Sequence, residues 1–144
     1  MSYNCIDRHV SSGLGSSTAL IYESAYTGDK RKYTFKEMQE KVSKFARILS
    51  DNGVTKGDRV IIYMPMIPEA LIAMHTCVRL GAIHSVVFGG FAPTELAHRV
   101  EHAKPKLIVT ASCGIEPNKT IPYVPIVDSA LDEAGYPDMT RIIV

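Results

Sequence analysis

Three cysteines in 144 residues, at Cys5, Cys77 and Cys113, are too few and too scattered for a disulfide framework. No Cys-x-x-Cys spacing offers a zinc site. The odd count fits a reducing compartment. No apolar run approaches the ~20 residues that a membrane span needs. The opening MSYNCIDRHVSSG lacks the apolar core of a secretory signal and the Arg- and Ser-rich character of a transit peptide. Basic and acidic residues number 16 and 15, a net charge of +1, which gives no basic field for nucleic acid. Low-complexity tracts are absent. At 46% hydrophobic and 22% charged, the chain has the composition of a globular, soluble intracellular protein with a sizeable core.

Several chemical signatures are missing too. There is no serine nucleophile elbow, no Walker-type phosphate loop and no Gly-x-Gly-x-x-Gly run. Gly13-Leu14-Gly15 does not follow a strand. Glu37/Glu40 and Asp128/Asp132 fall on solvated helix faces, so no general acid–base pair and no catalytic residue is assigned. His98-Arg99-Val100-Glu101-His102 matches an inverted zinc-protease pattern, but helical spacing puts Leu96, Val100 and Ala103 on one face and His98, Glu101 and His102 on the wet one. No metal site is expected.

What is present is a strand–helix alternation. Residues 4–12 predict a short helix. Ala19–Tyr22 and Lys32–Thr34 predict a hairpin turning at Gly28-Asp29, with Lys30-Arg31-Lys32 solvated in that turn. Thr34-Phe35-Lys36-Glu37 is a capping box. It opens a helix with Phe35, Met38, Val42, Phe45, Ala46 and Leu49 on one stripe, closed by Gly53. Arg59–Met64 reads as a strand covered on both faces. Pro68 opens a helix to Leu80 that is apolar nearly all round, and so expected between layers; Gly81 stops it. Ile83–Phe88 is a second strand, and Pro93 opens a third helix that ends before Pro105. Lys106–Ala111 is a third strand, residues 125–134 a fourth helix, and Arg141–Val144 a fourth strand. The short links predict an α/β fold: a partial, doubly wound parallel sheet with flanking helices and a short N-terminal hairpin. Residues 1–15 read as a linking segment and 16–144 as an incomplete α/β domain. The apolar Ile142-Ile143-Val144 ending is expected to lie within a buried strand.

Two stretches lie at strand ends, where parallel sheets bind ligands. In Phe88-Gly89-Gly90, glycines without Cβ atoms let an anion approach backbone amides, and the next helix adds positive potential. A tight turn chosen for its dihedrals explains the same glycines. The loop Ser112–Thr120 carries Lys119, a point charge for phosphate; on the residues alone a plain solvated loop is the favoured reading.

Asn4-Cys5-Ile6-Asp7-Arg8-His9, the run from Gly57-Asp58 to Pro68-Glu69-Ala70, and Leu80–Phe91 together resemble the short-chain acyl-CoA synthetases, the acetate and propionate members of the adenylate-forming family. The likeness spans essentially the whole chain. Val109–Pro117 resembles the propionate-type branch more than the acetate type. The resemblance implies an ATP-dependent ligase that joins a short carboxylate to coenzyme A through an acyl-adenylate. ATP with magnesium and coenzyme A would be its substrates, with no tightly bound cofactor and only small-molecule partners. It implies coenzyme A contact by Phe88, Gly89, Gly90, Glu116, Pro117, Asn118 and Lys119. The family often has Arg at the position of Lys119, and Lys lacks the bidentate fork. The family's ATP-phosphate loop has no counterpart in this sequence. An inactive portion of such an enzyme is therefore expected, in the mitochondrial matrix or cytoplasm. The alternative is a stand-alone non-catalytic module with a weak coenzyme A or phosphate site.

Overall fold

A computed structural model describes residues 1–144. Two wide helical turns, Tyr3–Asp7 and Val10–Leu14, replace the single short helix expected at 4–12. Ser11 Oγ and Ser12 Oγ donate to the Asp7 and His9 carbonyls, an alternative to the regular helical ladder. Gly13, at φ +86°, then turns the chain out of the helix. Strands β1 (Thr18–Glu23) and β2 (Lys30–Thr34) form the expected antiparallel hairpin. Lys30, Arg31 and Lys32 lie on β2 itself rather than in the turn. Two of them are paired: Lys30 with Glu23, and Arg31 with Asp29 at 2.8 Å.

Helix α1 (Phe35–Asp51) starts at the capping box. The Glu37 N–H donates to Thr34 Oγ1 at 3.2 Å, and the Thr34 N–H donates to Glu37 Oε2 at 2.7 Å. Its buried stripe is Met38, Val42, Phe45, Ala46 and Leu49, as the spacing predicts, with Phe35 half-buried. The first turns are fastened to it. Ile6 joins the core beneath α1. The Asp7 carboxylate accepts from Gln39 Nε2 at 2.7 Å and from Arg79 Nη2 at 2.6 Å. Burial works to raise the Asp7 carboxyl, but the bonds from Gln39 and Arg79 and the Arg79 charge outweigh it and hold it below the usual range.

That clasp has a pH signature. A carboxyl lowered in the native state contributes stability that is complete above its unfolded value and is lost as pH falls through the lower native one. Asp7→Asn should destabilise the chain by about 1–3 kcal/mol at neutral pH, the cost of weakening charge-assisted bonds in a partly buried site. The gap from the parent should shrink below about pH 4. Urea unfolding at pH 7 and pH 3 measures both, and a gap that widens in acid would contradict the clasp.

The main sheet is built from β3 (Arg59–Met64), β4 (Ile83–Phe88), β5 (Leu107–Thr110) and β8 (Arg141–Ile143). All pairs are parallel, in the order β4-β3-β5-β8. Helix α2 (Pro68–Leu80) links β3 to β4, and α3 (Pro93–Ala103) links β4 back past β3 to β5. The direction of winding reverses at that step. With right-handed crossovers, a reversal places the two helices on opposite faces. Helix α1 accordingly packs beside α2, and α3 beside α4 (Tyr123–Glu133). The alternation along β3 divides the core. Val60, Ile62 and Met64 enter one cluster, under α1 and α2, while Ile61 and Tyr63 enter the other, under α3 and α4. Both faces of β3 are therefore apolar, as its unbroken hydrophobic run predicts.

Three expectations need correction. Helix α2 is not enclosed: Leu71, Met74 and Val78 are only half-buried, because β4 ends the sheet. As an edge strand β4 also leaves Ile83, Val86 and Phe88 exposed. Ser112–Thr120 is not an irregular loop. It holds the hairpin of β6 (Cys113–Glu116) and β7 (Lys119–Pro122), turning at Pro117-Asn118, and α4 begins at Tyr123, two residues before Pro125. Four-residue strands containing Gly114 and Pro122 carry too little β-propensity to stand out from a loop. Finally, Ile143 and Val144 are exposed rather than buried; β8 pairs on one side only, with β5.

Candidate functional site

The strands of a parallel sheet all end on the same side, and the chain leaving β3 turns to one face while the chains leaving β4 and β5 turn to the other. The space outside the strand ends is thus flanked by the turn after β4 and the hairpin after β5. Phe88, 62% exposed as a residue, closes β4 with its ring set edge-on to Phe91 at 6.2 Å between centroids. The Arg99 guanidinium lies 5.1 Å from the Phe91 ring centre. Gly89 and Gly90 follow, and neither has a left-handed φ. The Phe91 N–H donates to the Phe88 carbonyl at 3.1 Å, whereas the Gly89 and Gly90 N–H groups donate to no backbone acceptor.

Gly89 is required for space rather than for dihedral freedom. A Cβ on Gly89 would stand 2.4 Å from Tyr123 Oη and 3.0 Å from the Met64 carbonyl oxygen. One on Gly114 would stand 2.6 Å from the same Tyr123 Oη. The phenol of Tyr123, the first residue of α4, therefore sits between the turn after β4 and the root of the β6–β7 hairpin. Its ring tilts against Tyr63 at 5.2 Å. Tyr63 Oη in turn donates to the Phe91 carbonyl at 2.8 Å and to that of Gly89 at 3.3 Å, tying the turn to the central strand.

Burial, reinforced by Tyr123 alongside, pushes the Tyr63 phenol up to about 12. Burial also raises Tyr123, helped by the Glu116 carboxylate and the Cys113 thiol nearby. Both phenols hold their protons at neutral pH and are donors. Glu116 and Lys119 face each other across the hairpin turn and form an ion pair at 3.4 Å, largely in solvent. Such a pair is worth about 0–1 kcal/mol, so Lys119 can exchange its partner for a ligand anion at little cost. Pro117 and Asn118 are the exposed turn residues between them.

The structure thus brings Gly89 to the base of the hairpin, where it shares the Tyr123 phenol with Gly114, while Glu116, Pro117, Asn118 and Lys119 form the hairpin's tip; Gly90 packs against Phe88, which lines a cleft on the α1–α2 side. Sequence reasoning missed Tyr123, Tyr63, Gly114 and Arg99. A lone Tyr ahead of Pro125 gives no local sign that it reaches back to two glycines. His98, Glu101 and His102 lie in solvent while Leu96 and Val100 are buried, as the helical spacing predicts. Cys77 is buried within α2, and burial pushes its thiol up to about 11. On the α1–α2 side of the sheet a cleft of about 450 Å³ opens among Leu20, Tyr22, Met64, Leu71, Met74 and Phe88. Its lining is almost wholly apolar and holds no charged side chain.

Residues 8–143 match the family model described as AMP-binding enzyme. The chain belongs to that family. It is 57% identical over 129 residues to the mitochondrial acyl-CoA synthetase short-chain family member 3 of Bos taurus, covering 90% of this chain and 19% of that protein. It is 54% identical to the Homo sapiens protein of the same name, with the same coverage. It is 47% identical over 144 residues to the acetyl-coenzyme A synthetase of Pasteurella multocida, covering 100% of this chain and 22% of that protein. The chain spans about a fifth of the length of these curated relatives. No helix of this AMP-binding family member is long and apolar enough to cross a membrane.

Proposed function

We propose that these 144 residues contribute the coenzyme A-contacting edge of an ATP-dependent short-chain acyl-CoA synthetase. In the whole enzyme, a carboxylate oxygen of propionate or acetate bonds to the α-phosphorus of ATP and pyrophosphate leaves. The coenzyme's thiol sulfur then bonds to the acyl carbon, its proton is lost, and AMP leaves as the thioester forms. The names of the relatives support this chemistry, and the resemblance of Val109–Pro117 to the propionate-type branch favours propionate. A mitochondrial or cytoplasmic location accords with those relatives.

The observation that carries the reading is the convergence of the Gly89–Gly90 turn and the β6–β7 hairpin at one end of the sheet. The N–H of the exposed Gly90 has no backbone acceptor, Phe88 offers an exposed aromatic surface to a base, and Lys119 offers a charge held only by a solvated partner. Phe88, Gly89, Gly90 and Glu116 to Lys119 form the contact set. No step of acid activation is assigned to any of these side chains.

The chain mixed with ATP, magnesium, propionate and coenzyme A should therefore yield no thioester, while millimolar coenzyme A should raise its thermal midpoint. Thioester formation would refute the absence of acid-activating groups. An unmoved midpoint together with unmoved Gly89 and Gly90 amide resonances would refute the binding edge. A second reading is a non-catalytic module that binds the coenzyme weakly. Two well-filled core clusters, one on each face of the sheet, favour the cooperative unfolding that it requires. A broad, dye-binding transition would count against it.

A further inference from the structure

Tyr63 is fully buried on the central strand β3, which pairs with β4 on one side and β5 on the other. Its main chain is held further by Thr110 Oγ1, which donates to the Tyr63 carbonyl at 2.8 Å. A buried hydroxyl needs an acceptor. Both acceptors that Tyr63 finds lie in the turn after β4, the carbonyls of Phe91 at 2.8 Å and Gly89 at 3.3 Å. The Gly89 carbonyl belongs to the same peptide group as the Gly90 N–H. That group is planar and trans, so its carbonyl and its N–H point in opposite directions. With the carbonyl turned inward to the phenol, the Gly90 N–H is turned outward. Gly90 is exposed there, and its N–H has no backbone acceptor. A glycine on each side of the peptide would otherwise let it flip, because glycine accepts φ of either sign.

We infer that Tyr63 is a positioning residue for the proposed coenzyme contact: its hydroxyl pins the Gly89–Gly90 peptide in the orientation that presents the Gly90 N–H to a ligand. The inference rests on the reading that this turn meets coenzyme A. Tyr63 touches no ligand itself and acts through the turn. Its bond to the Phe91 carbonyl also holds the backbone that carries Phe91 edge-on to Phe88. Without the hydroxyl the peptide samples both orientations. The apparent affinity then falls in proportion to the fraction of chains that keep the N–H outward.

The test compares the parent with Tyr63→Phe and with Ile61→Val. Ile61 packs in the same cluster as Tyr63. Trimming it costs stability of the same order as losing one hydrogen bond, and it leaves the bonds of the turn in place. Residual dipolar couplings of the weakly aligned, isotope-labelled chain report the direction of the Gly90 N–H. A coenzyme A titration followed at the Gly90 amide reports affinity. Tyr63→Phe should change the Gly90 and Phe91 couplings, leave those of β3 and β5 as they are, and bind coenzyme A about fivefold more weakly. Ile61→Val should match the parent in both measurements. An unchanged Gly90 coupling or an equal affinity in Tyr63→Phe overturns the inference. So does an equal loss of affinity in Ile61→Val, which would make the effect one of stability alone. Those outcomes leave the coenzyme contact standing. A parent Gly90 amide that does not respond to coenzyme A instead refutes the contact, and the inference falls with it. Should Tyr63→Phe unfold, the parent decides alone. Its Tyr63 hydroxyl proton should exchange slowly with solvent and its Gly90 N–H should point outward; fast exchange or an inward N–H overturns the inference.

Discussion

Gly89→Ala should destabilise the chain by about 1–3 kcal/mol, the usual cost of forcing a methyl group into a filled site. The added Cβ would stand 2.4 Å from Tyr123 Oη, 2.7 Å from Cζ of the same ring and 3.0 Å from the Met64 carbonyl oxygen. None of these yields easily. The carbonyl belongs to the end of the central strand, and the ring is held against Tyr63. Because Gly89 does not have a left-handed φ, the loss comes from overlap alone. Gly90→Ala is the contrast. Its Cβ would meet only the ring of Phe88, which is mostly exposed and free to swing away. Thermal unfolding should show a midpoint lower by about 2–4 °C per kcal/mol for Gly89→Ala, with little change for Gly90→Ala. Shortening the opposing side chain, as in Gly89→Ala with Tyr123→Leu, should cost less than the sum of the two changes. Equal losses in the two glycine variants would mean that Tyr123 is not what the first glycine accommodates.

The same contact shows where sequence reasoning stops. Features written within one turn of chain were legible. Thr34 and Glu37 are three residues apart and form the capping box that their identities announce. The apolar stripe of α1, the Pro68 start and Gly81 stop of α2, and the all-apolar run of β3 each declare themselves within a short window. From these the parallel, doubly wound arrangement follows, because strand–helix alternation and crossover handedness leave few alternatives.

Features that depend on distant partners were not legible. Asp7 and Arg79 are 72 positions apart, and nothing near either residue names the other. The short β6–β7 hairpin lacked a strong local signal, so its residues read as a loop. The two glycines after β4 stand out in the sequence, but on their own they support either close approach of a ligand or a tight turn. The structure supplies a third reason, the Tyr123 phenol, which only folding brings there. Gly89 thereby makes room for protein, which accounts for that glycine whether or not a ligand approaches, while Gly90 is left exposed.

Ile61 and Ile62 are adjacent, chemically identical and both fully buried, yet their replacement by alanine should differ in cost. Ile61 faces the closed cluster under α3 and α4, with Leu96, Val100, Val127 and Leu131. Removing three carbons there leaves a void that rigid neighbours cannot fill, and such voids cost about 2–5 kcal/mol. Ile62 faces the other cluster and also lines the open apolar cleft of about 450 Å³. Space vacated there merges with a cleft bordered by mobile methionines, Met66 and Met74, whose unbranched side chains can move in. The loss should then approach the transfer term alone, about 2 kcal/mol. Urea unfolding of Ile61→Ala and Ile62→Ala should therefore give midpoints in the order parent, Ile62→Ala, Ile61→Ala. The reverse order would mean that the cleft side, and not the α3–α4 side, is the more tightly packed half of the core.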